Sequence, residues 1–393
     1  MPHSLLASFD FPETPVAHEG ITYEFITSPY KRHGVIGVRA EGHRFLLKYI
    51  QKDNGTLVKT DKSTRIPKLG IIKKAINGFS DVSGAVVAST NTNITRKDPE
   101  YPNYKDLEFF LSEFGYDKEV WVEVGFGSGR HLLHNAKSNP DIIHIGLEIH
   151  KPSAEQVLKQ CKLQGIDNLF VVDFDARIFL EILPADSVGR IFVHFPVPWD
   201  KAPHRRVMSK AFIDEAVVVL KPGGTLELRT DSKEYMDYSY ALFMDLDTCQ
   251  LDAKKNHFLE VSSKYEDRWK KMEKDFYDLT FTNVKASEPK KRDFDFTFKN
   301  FIPFDEFARR IGSATILEQE FLISAKEKYP MATAGEGLVK LTMGAFGTPQ
   351  SLYLLFEDGK VEYYPRIPYP TQANIQAHKK LEAIIDGNDH TSE

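Results

Sequence analysis

Cysteine is almost absent: only Cys161 and Cys249 occur in 393 residues. Two cysteines are too few for a disulfide framework or a Cys-rich zinc site. Long apolar runs are missing as well, and nothing approaches the roughly 20 residues that a membrane helix requires. The first ten residues carry neither a basic stretch nor a long apolar core, so no secretory signal is expected and a cytoplasmic location is. No Gly-Lys-Ser phosphate loop occurs, and no period of 20–50 residues recurs, which excludes a repeat array. What is present is ordinary globular material: 41% hydrophobic residues, 27% charged residues, 24 glycines and 21 prolines. That balance excludes a disordered or low-complexity chain, and the length favours two or three domains.

The net charge of -5 hides two local reversals. Lys48, Lys52, Lys59, Lys62, Arg65, Lys68, Lys73 and Lys74 face only Asp53 and Asp61 in their stretch; eight bases against two acids leave +6. Lys201, His204, Arg205, Arg206 and Lys210 are opposed by Asp200 alone. Such patches on an acidic chain point to a polyanionic partner at a defined place.

Patterning divides the chain into three. Residues 1–104 read as β-rich, with alternation at 21–26, β-rich pieces at 35–38 and 44–50, and a hairpin signal at Asn54-Gly55. A polar stretch with two prolines at 91–103 reads as a linker or surface loop. Residues 105–287 alternate short apolar strands (120–124, 142–148, 169–172, 188–195, 225–229) with helices (130–137, 153–162, 176–183, 209–220, 234–246). This predicts an α/β fold, a doubly wound parallel sheet with ligands outside the carboxyl ends of its strands. Residues 288–393 mix a helix at 304–310, a hairpin at Asp358-Gly359 and a terminal helix at 373–385, an α+β extension of unassigned role.

The chemistry concentrates in the middle part. Glu123 ends the first strand, and Gly125, Gly127 and Gly129 form a Gly-x-Gly-x-Gly turn into a helix, where the backbone bends sharply and a ligand approaches without a Cβ in its way. Arg130 stands where a dinucleotide fingerprint needs glycine. Glu148 ends the next strand and is placed to accept both ribose hydroxyl hydrogens of a nucleoside. Asp175 either caps the following helix or holds an adenine amino group, with Asp173 competing for that role. An acid-glycine loop and a ribose acid without a triphosphate loop fit S-adenosylmethionine. His131 and His134 share a helical face but have no further ligand set, so no metal is expected.

These features resemble the class I S-adenosylmethionine-dependent methyltransferases. Further along, Phe195-Pro-Val-Pro-Trp199 with Lys201 and the basic Arg205-Arg206 resembles the Phe-Pro-Asp-Pro-Trp-x-Lys signature of bacterial tRNA (guanine-N7)-methyltransferases. Arg229-Thr-Asp231 and Ser263-Lys-Tyr-Glu266 match two further elements of that family. The resemblance covers about 105–282. It implies transfer of a methyl group to N7 of the variable-loop guanine of tRNA, with Glu123, Glu148 and Asp175 on the cofactor. It also implies that Lys201, Asp231, Ser263, Lys264, Tyr265 and Glu266 face the guanosine and its flanking backbone. Val197 departs from the signature, which carries Asp there.

Since N7 already has a free lone pair, no essential base is required, and positioning supplies most of the acceleration. Asp231 is the first candidate to orient the guanine and stabilise its developing cation, and Glu266 the second. Lys201, Arg205 and Arg206 suit phosphate contacts. Trp199 either stacks on a splayed base or sits in the core. The N-terminal segment, with its +6 stretch, is expected to hold the tRNA body. Two rival readings remain: another RNA position, a protein or a small molecule as acceptor, of which the small molecule would not need the basic 199–206 run, and a non-catalytic RNA-binding subunit, which cofactor binding would exclude.

Overall fold

A computed structural model describes residues 1–63, 69–93, 100–115, 117–257, 275–289 and 294–388. The chain forms two compact units, one from Met1–Pro99 with Asp293–Glu393 and the other from Glu100–Arg292. The two flanking segments, which read as separate in the sequence, therefore build one body, and the middle of the chain is inserted between them.

In the flanking unit, seven antiparallel strands run in the order Val16–His18, Ile21–Ile26, His33–Ala40, His43–Lys52, Gly55–Thr60, His3–Ser8, Val86–Thr90. Alternation along Ile21–Ile26 sends Ile21, Tyr23 and Phe25 inward. A helix over Leu69–Val82, within the segment read as mostly β, lays Ile72, Ala75, Ile76 and Phe79 against Tyr23, Val38 and Phe45. A second, five-stranded antiparallel sheet spans Ile316–Leu317, Leu322–Pro330, Gly337–Gly344, Gln350–Glu357 and Lys360–Tyr364, with helices Phe304–Ile311 and Gln372–Asp386 in its core. The reason the two segments join is a shared core: Phe25, Val35 and Leu46 from the first pack with Tyr329, Leu338, Tyr353, Leu355 and Tyr364 from the second. Polar ties reinforce it, with Tyr364 Oη donating to Glu24 (2.9 Å) and Arg44 paired with Glu362 (2.9 Å).

The inserted unit is labelled from its own start. Its strands are β1 (Val120–Val124), β2 (Ile143–Leu147), β3 (Leu169–Val172), β4 (Val188–His194), β5 (Leu220–Thr230), β6 (Gln250–Lys255) and β7 (Tyr277–Thr282). Its helices are α1 (Leu107–Ser112), α2 (Arg130–Ser138), α3 (Lys151–Gln164), α4 (Ala176–Ile182), α5 (Lys210–Val219) and α6 (Lys233–Met244). The sheet order is β3-β2-β1-β4-β5-β7-β6; the first five strands are parallel, and β7 runs antiparallel to both of its neighbours, β5 and β6. This is the doubly wound, Rossmann-like sheet that the strand spacing predicts. Strand order reverses at β1, so the crevice opens at the carboxyl ends of β1 and β4.

Candidate active site

The glycine turn rises directly from β1. Gly125, Gly127 and Gly129 all have positive φ (69°, 52° and 69°), a region that side chains strongly disfavour. Their surroundings differ. A Cβ on Gly129 would stand 2.2 Å from Val157 Cγ2 of α3, so that glycine lets the two helices approach. A Cβ on Gly125 would meet nothing within 4 Å, and one on Gly127 only the Gly125 carbonyl oxygen at 4.0 Å. The open side of the loop is therefore a cradle of bare backbone.

Glu148 leans over that cradle. Its Oε2 accepts from Gly127 N (2.9 Å) and its Oε1 from His150 N (2.9 Å), which sets the carboxylate plane while each oxygen keeps a lone pair for a ligand. Glu123 lies beneath the turn, only 4% exposed, with His131 Nδ1 2.8 Å from Oε2. Asp175 caps α4 through Arg177 N (2.9 Å), and the Arg177 guanidinium grips the same carboxylate at 3.0 and 2.7 Å. Of the two roles open to Asp175, the cap is the one seen. Asp173 is buried beside Lys151, 4.0 Å away.

The opposite wall is the loop after β4. Phe195 and Trp199 both adopt left-handed backbone (φ 49° and 47°), at a cost of about 1–2 kcal/mol each for residues with a Cβ. Arg206 holds this loop in place. Its side chain is 1% exposed; Nε donates to the Pro198 carbonyl (2.7 Å), and Nη2 reaches Asp200 (3.3 Å) and Glu234 (3.1 Å). The guanidinium lies 4.9 and 4.7 Å from the Tyr235 and Tyr238 rings. This corrects the reading of Arg206 as a phosphate contact: a side chain enclosed by two rings and three acceptors cannot reach an RNA backbone. Lys201 and Arg205 are exposed, and Arg205 stacks over the Trp199 ring at 4.6 Å. Trp199 is 38% exposed, so it is not a core aromatic. Val197 is also on the surface.

The loop after β5 meets this wall. Ser232 Oγ donates to Asp200 (3.4 Å) and accepts from Tyr235 N (3.1 Å) as the cap of α6. Within Arg229-Thr-Asp231, Arg229 and Thr230 are fully buried and Arg229 pairs with Asp278 (3.5 Å), whereas Asp231 is part-exposed. The structure thus brings Glu123, the glycines, Glu148 and Asp231 to the carboxyl edge of one sheet. Ser263, Lys264, Tyr265 and Glu266 lie outside the described residues.

The basic stretch of the flanking unit is partly spent internally. Lys48 pairs with Glu327 (3.5 Å) and Lys74 with Glu41 (3.5 Å), and Lys73 donates to the Asn93 carbonyl (2.9 Å). Lys62 is exposed; Arg65 and Lys68 fall outside the described residues. Among the described residues there is no group of three or more His, Cys, Asp or Glu that could hold a metal, and no helix is long and apolar enough to cross a membrane.

A methyltransferase family model matches residues 117–279, the inserted unit nearly entire. Full-length relatives are found as well. A tRNA (guanine-N(7)-)-methyltransferase of Wolinella succinogenes is 41% identical, the match covering 97% of this chain and 99% of that one. Proteins of the same name from Helicobacter hepaticus and Campylobacter fetus subsp. fetus are 36% and 34% identical, each match covering 98% of this chain and 99% of theirs. The likeness therefore runs through both flanking segments, beyond the stretch that the motifs mark. With this sheet order and this site, the fold is that of the class I S-adenosylmethionine-dependent methyltransferases, and the chain belongs to the tRNA (guanine-N7)-methyltransferase family.

Proposed function

We propose that this chain transfers a methyl group from S-adenosylmethionine to N7 of the variable-loop guanine of tRNA, in the cytoplasm. The observation that carries the proposal is the meeting, at one sheet edge, of a bare glycine cradle under Glu148 with the Trp199–Arg205 surface and Asp231.

The residues present fit the cofactor. Gly125 and Gly127 leave open space for a nucleoside, Glu148 offers acceptors to the two ribose hydroxyls, and there is no phosphate to neutralise. Glu123 would serve the methionine end, with Asp175 on the adenine side. S-adenosylmethionine supplies a methyl group made electrophilic by its sulfonium. Everything else falls to the chain: Asp231 accepts from N1–H and the N2 amino group of guanine and offsets the charge that methylation leaves on the ring. Trp199, with Arg205 on one face, offers a stacking platform, and Lys201 and Arg205 hold phosphates without reading sequence. Glu266 remains the second candidate beside Asp231, and the 263–266 run the second guanosine contact.

Glu148→Ala is expected to weaken cofactor binding roughly 10- to 100-fold, since hydrogen bonds to a charged group contribute about 1.5–3 kcal/mol. Titration calorimetry reads it directly, and unchanged affinity would remove Glu148 from the ribose. The whole proposal is tested by methyl transfer from labelled S-adenosylmethionine to unmodified tRNA, followed by nucleoside mass spectrometry. The expected product is 7-methylguanosine in the variable loop; label in any other nucleoside, or cofactor binding with no labelled RNA, overturns it.

A further inference from the structure

Two carboxylate–imidazole pairs lie side by side under the crevice. Glu123 of β1 faces His131 of α2 (2.8 Å), and His194 of β4 lies 2.7 Å from Glu227 of β5 through Nε2. The imidazole centres are 4.5 Å apart, and the Phe192 ring sits 5.0 and 5.6 Å from them. Strand register explains the assembly. Phe192 is opposite Glu123 on one side and Glu227 on the other, so one row of one sheet face carries Glu, Phe and Glu, and the two histidines close over it.

Direction within the first pair follows from chemistry. A carboxylate only accepts, so Nδ1 of His131 carries the proton that it donates to Glu123. The other ring nitrogen, Nε2, lies 3.1 Å from Asn135 Nδ2, one helical turn onward. Asn135, His131 and Glu123 form a chain of hydrogen bonds ending on a carboxylate that is 4% exposed. Burial disfavours charge on the His131 ring, but the Glu123 and Glu227 carboxylates together outweigh it and the net shift is upward. Apolar side chains would fill such a row at lower cost, because every buried carboxylate and imidazole must be stripped of water and its hydrogen bonds replaced within the protein. The arrangement therefore calls for a role other than stability.

We propose that His131 is a positioning residue for the methionine end of the cofactor. It fixes Glu123 Oε2, so that Oε1 is presented to the ligand at a set angle, and the His194–Glu227 pair packed on its ring keeps it from turning. Because His194 leads directly into the 195–199 loop, the same stack ties the cofactor side of the crevice to the acceptor side. The inference rests on the cofactor reading above.

Side-chain register supplies the test. The amide nitrogen of Asn overlays imidazole Nδ1, and that of Gln overlays Nε2. His131→Asn should therefore keep the bond to Glu123, and His131→Gln and His131→Leu should lose it. Calorimetry with S-adenosylmethionine is expected to show affinity lowered on the order of tenfold in H131Q and H131L, with H131N within about threefold of wild type. Steady-state kinetics should show the KM for the cofactor rising with the KM for tRNA unmoved. Equal affinity in H131Q and wild type, or equal loss in H131N and H131Q, overturns the proposal. If H131L fails to fold, the polar Asn and Gln variants carry the comparison. A wild type that binds no cofactor would bring down the cofactor reading together with this one, whereas a binding wild type with unaffected variants overturns only the role of His131.

Discussion

Asp231→Ala is expected to lower methyl transfer by roughly 100- to 1,000-fold and to leave cofactor affinity within about twofold of wild type. The split follows from where Asp231 stands. It is the first residue past β5, and both of its neighbours are pinned: Thr230 is buried and its Oγ1 accepts from Ser232 N (3.1 Å), while Ser232 caps α6. Removing the carboxylate therefore leaves the backbone in place. The glycine turn and Glu148 follow β1 and β2 and do not depend on it. N7 of guanine attacks with its own lone pair, so the enzyme needs the ring held at the right angle and its new positive charge offset, and a carboxylate does both. Calorimetry of cofactor binding, beside initial rates on saturating tRNA, separates the two effects. Full activity in the Asp231 variant would transfer the role to Glu266.

Arg206→Met should be the more damaging change to the fold. The substitution keeps much of the apolar stem but strands the Pro198 carbonyl and releases Asp200 and Glu234 from their shared cation. Loss of charged hydrogen bonds of this kind costs about 2–4 kcal/mol, which for a unit of this size lowers Tm by roughly 5–15 °C. Arg206→Lys should rescue little, because one ammonium cannot serve a carbonyl and two carboxylates lying in a fork. The salt dependence of tRNA binding supplies the contrast. Lys201→Ala and Arg205→Ala are each expected to flatten the slope of log affinity against log salt by about 0.7–0.9, as a lost phosphate contact does, whereas Arg206→Met weakens binding without altering the slope. A flattened slope in the Arg206 variant would return that residue to the RNA.

Arg205 and Arg206 show where reading from sequence stops. Adjacent arginines in a basic run look alike; which of them turns inward is decided by Tyr235 and Tyr238, some thirty residues on, and by a loop held in left-handed backbone at Trp199. The five parallel strands were legible because each is a short apolar run between helices, and Ser209, Asp175 and Ser232 mark where three of those helices begin. Strand β6 was not, since Gln-Leu-Asp-Ala-Lys-Lys is an almost wholly exposed edge with no apolar rhythm. The helix over Leu69–Val82 carries Ile71, Ile72, Ala75, Ile76 and Phe79 at helical spacing, but it is a single helix set among strands, so the local pattern around it is that of a β-rich segment. Glu123 and Glu148 were recognisable from their places at strand ends. His194 and Glu227 were not, because their pairing depends on β4 lying beside β5 in a register no local pattern specifies.

The division of the flanking unit has a consequence for how the molecule is made. Phe25, Val35 and Leu46 leave the ribosome early, but the tyrosines and leucines that cover them come from the last strands to be synthesised. Glu24 and its partner Tyr364 are 340 residues apart, an interval of roughly 20–70 s at about 5–20 residues per second. Throughout that wait the nascent sheet carries an uncovered greasy face, while the inserted unit emerges with all its own strands and has time to fold alone. Translation that stops short leaves this face bare, and an unfinished chain is then marked for chaperones or proteases by the very surface that the finished one hides.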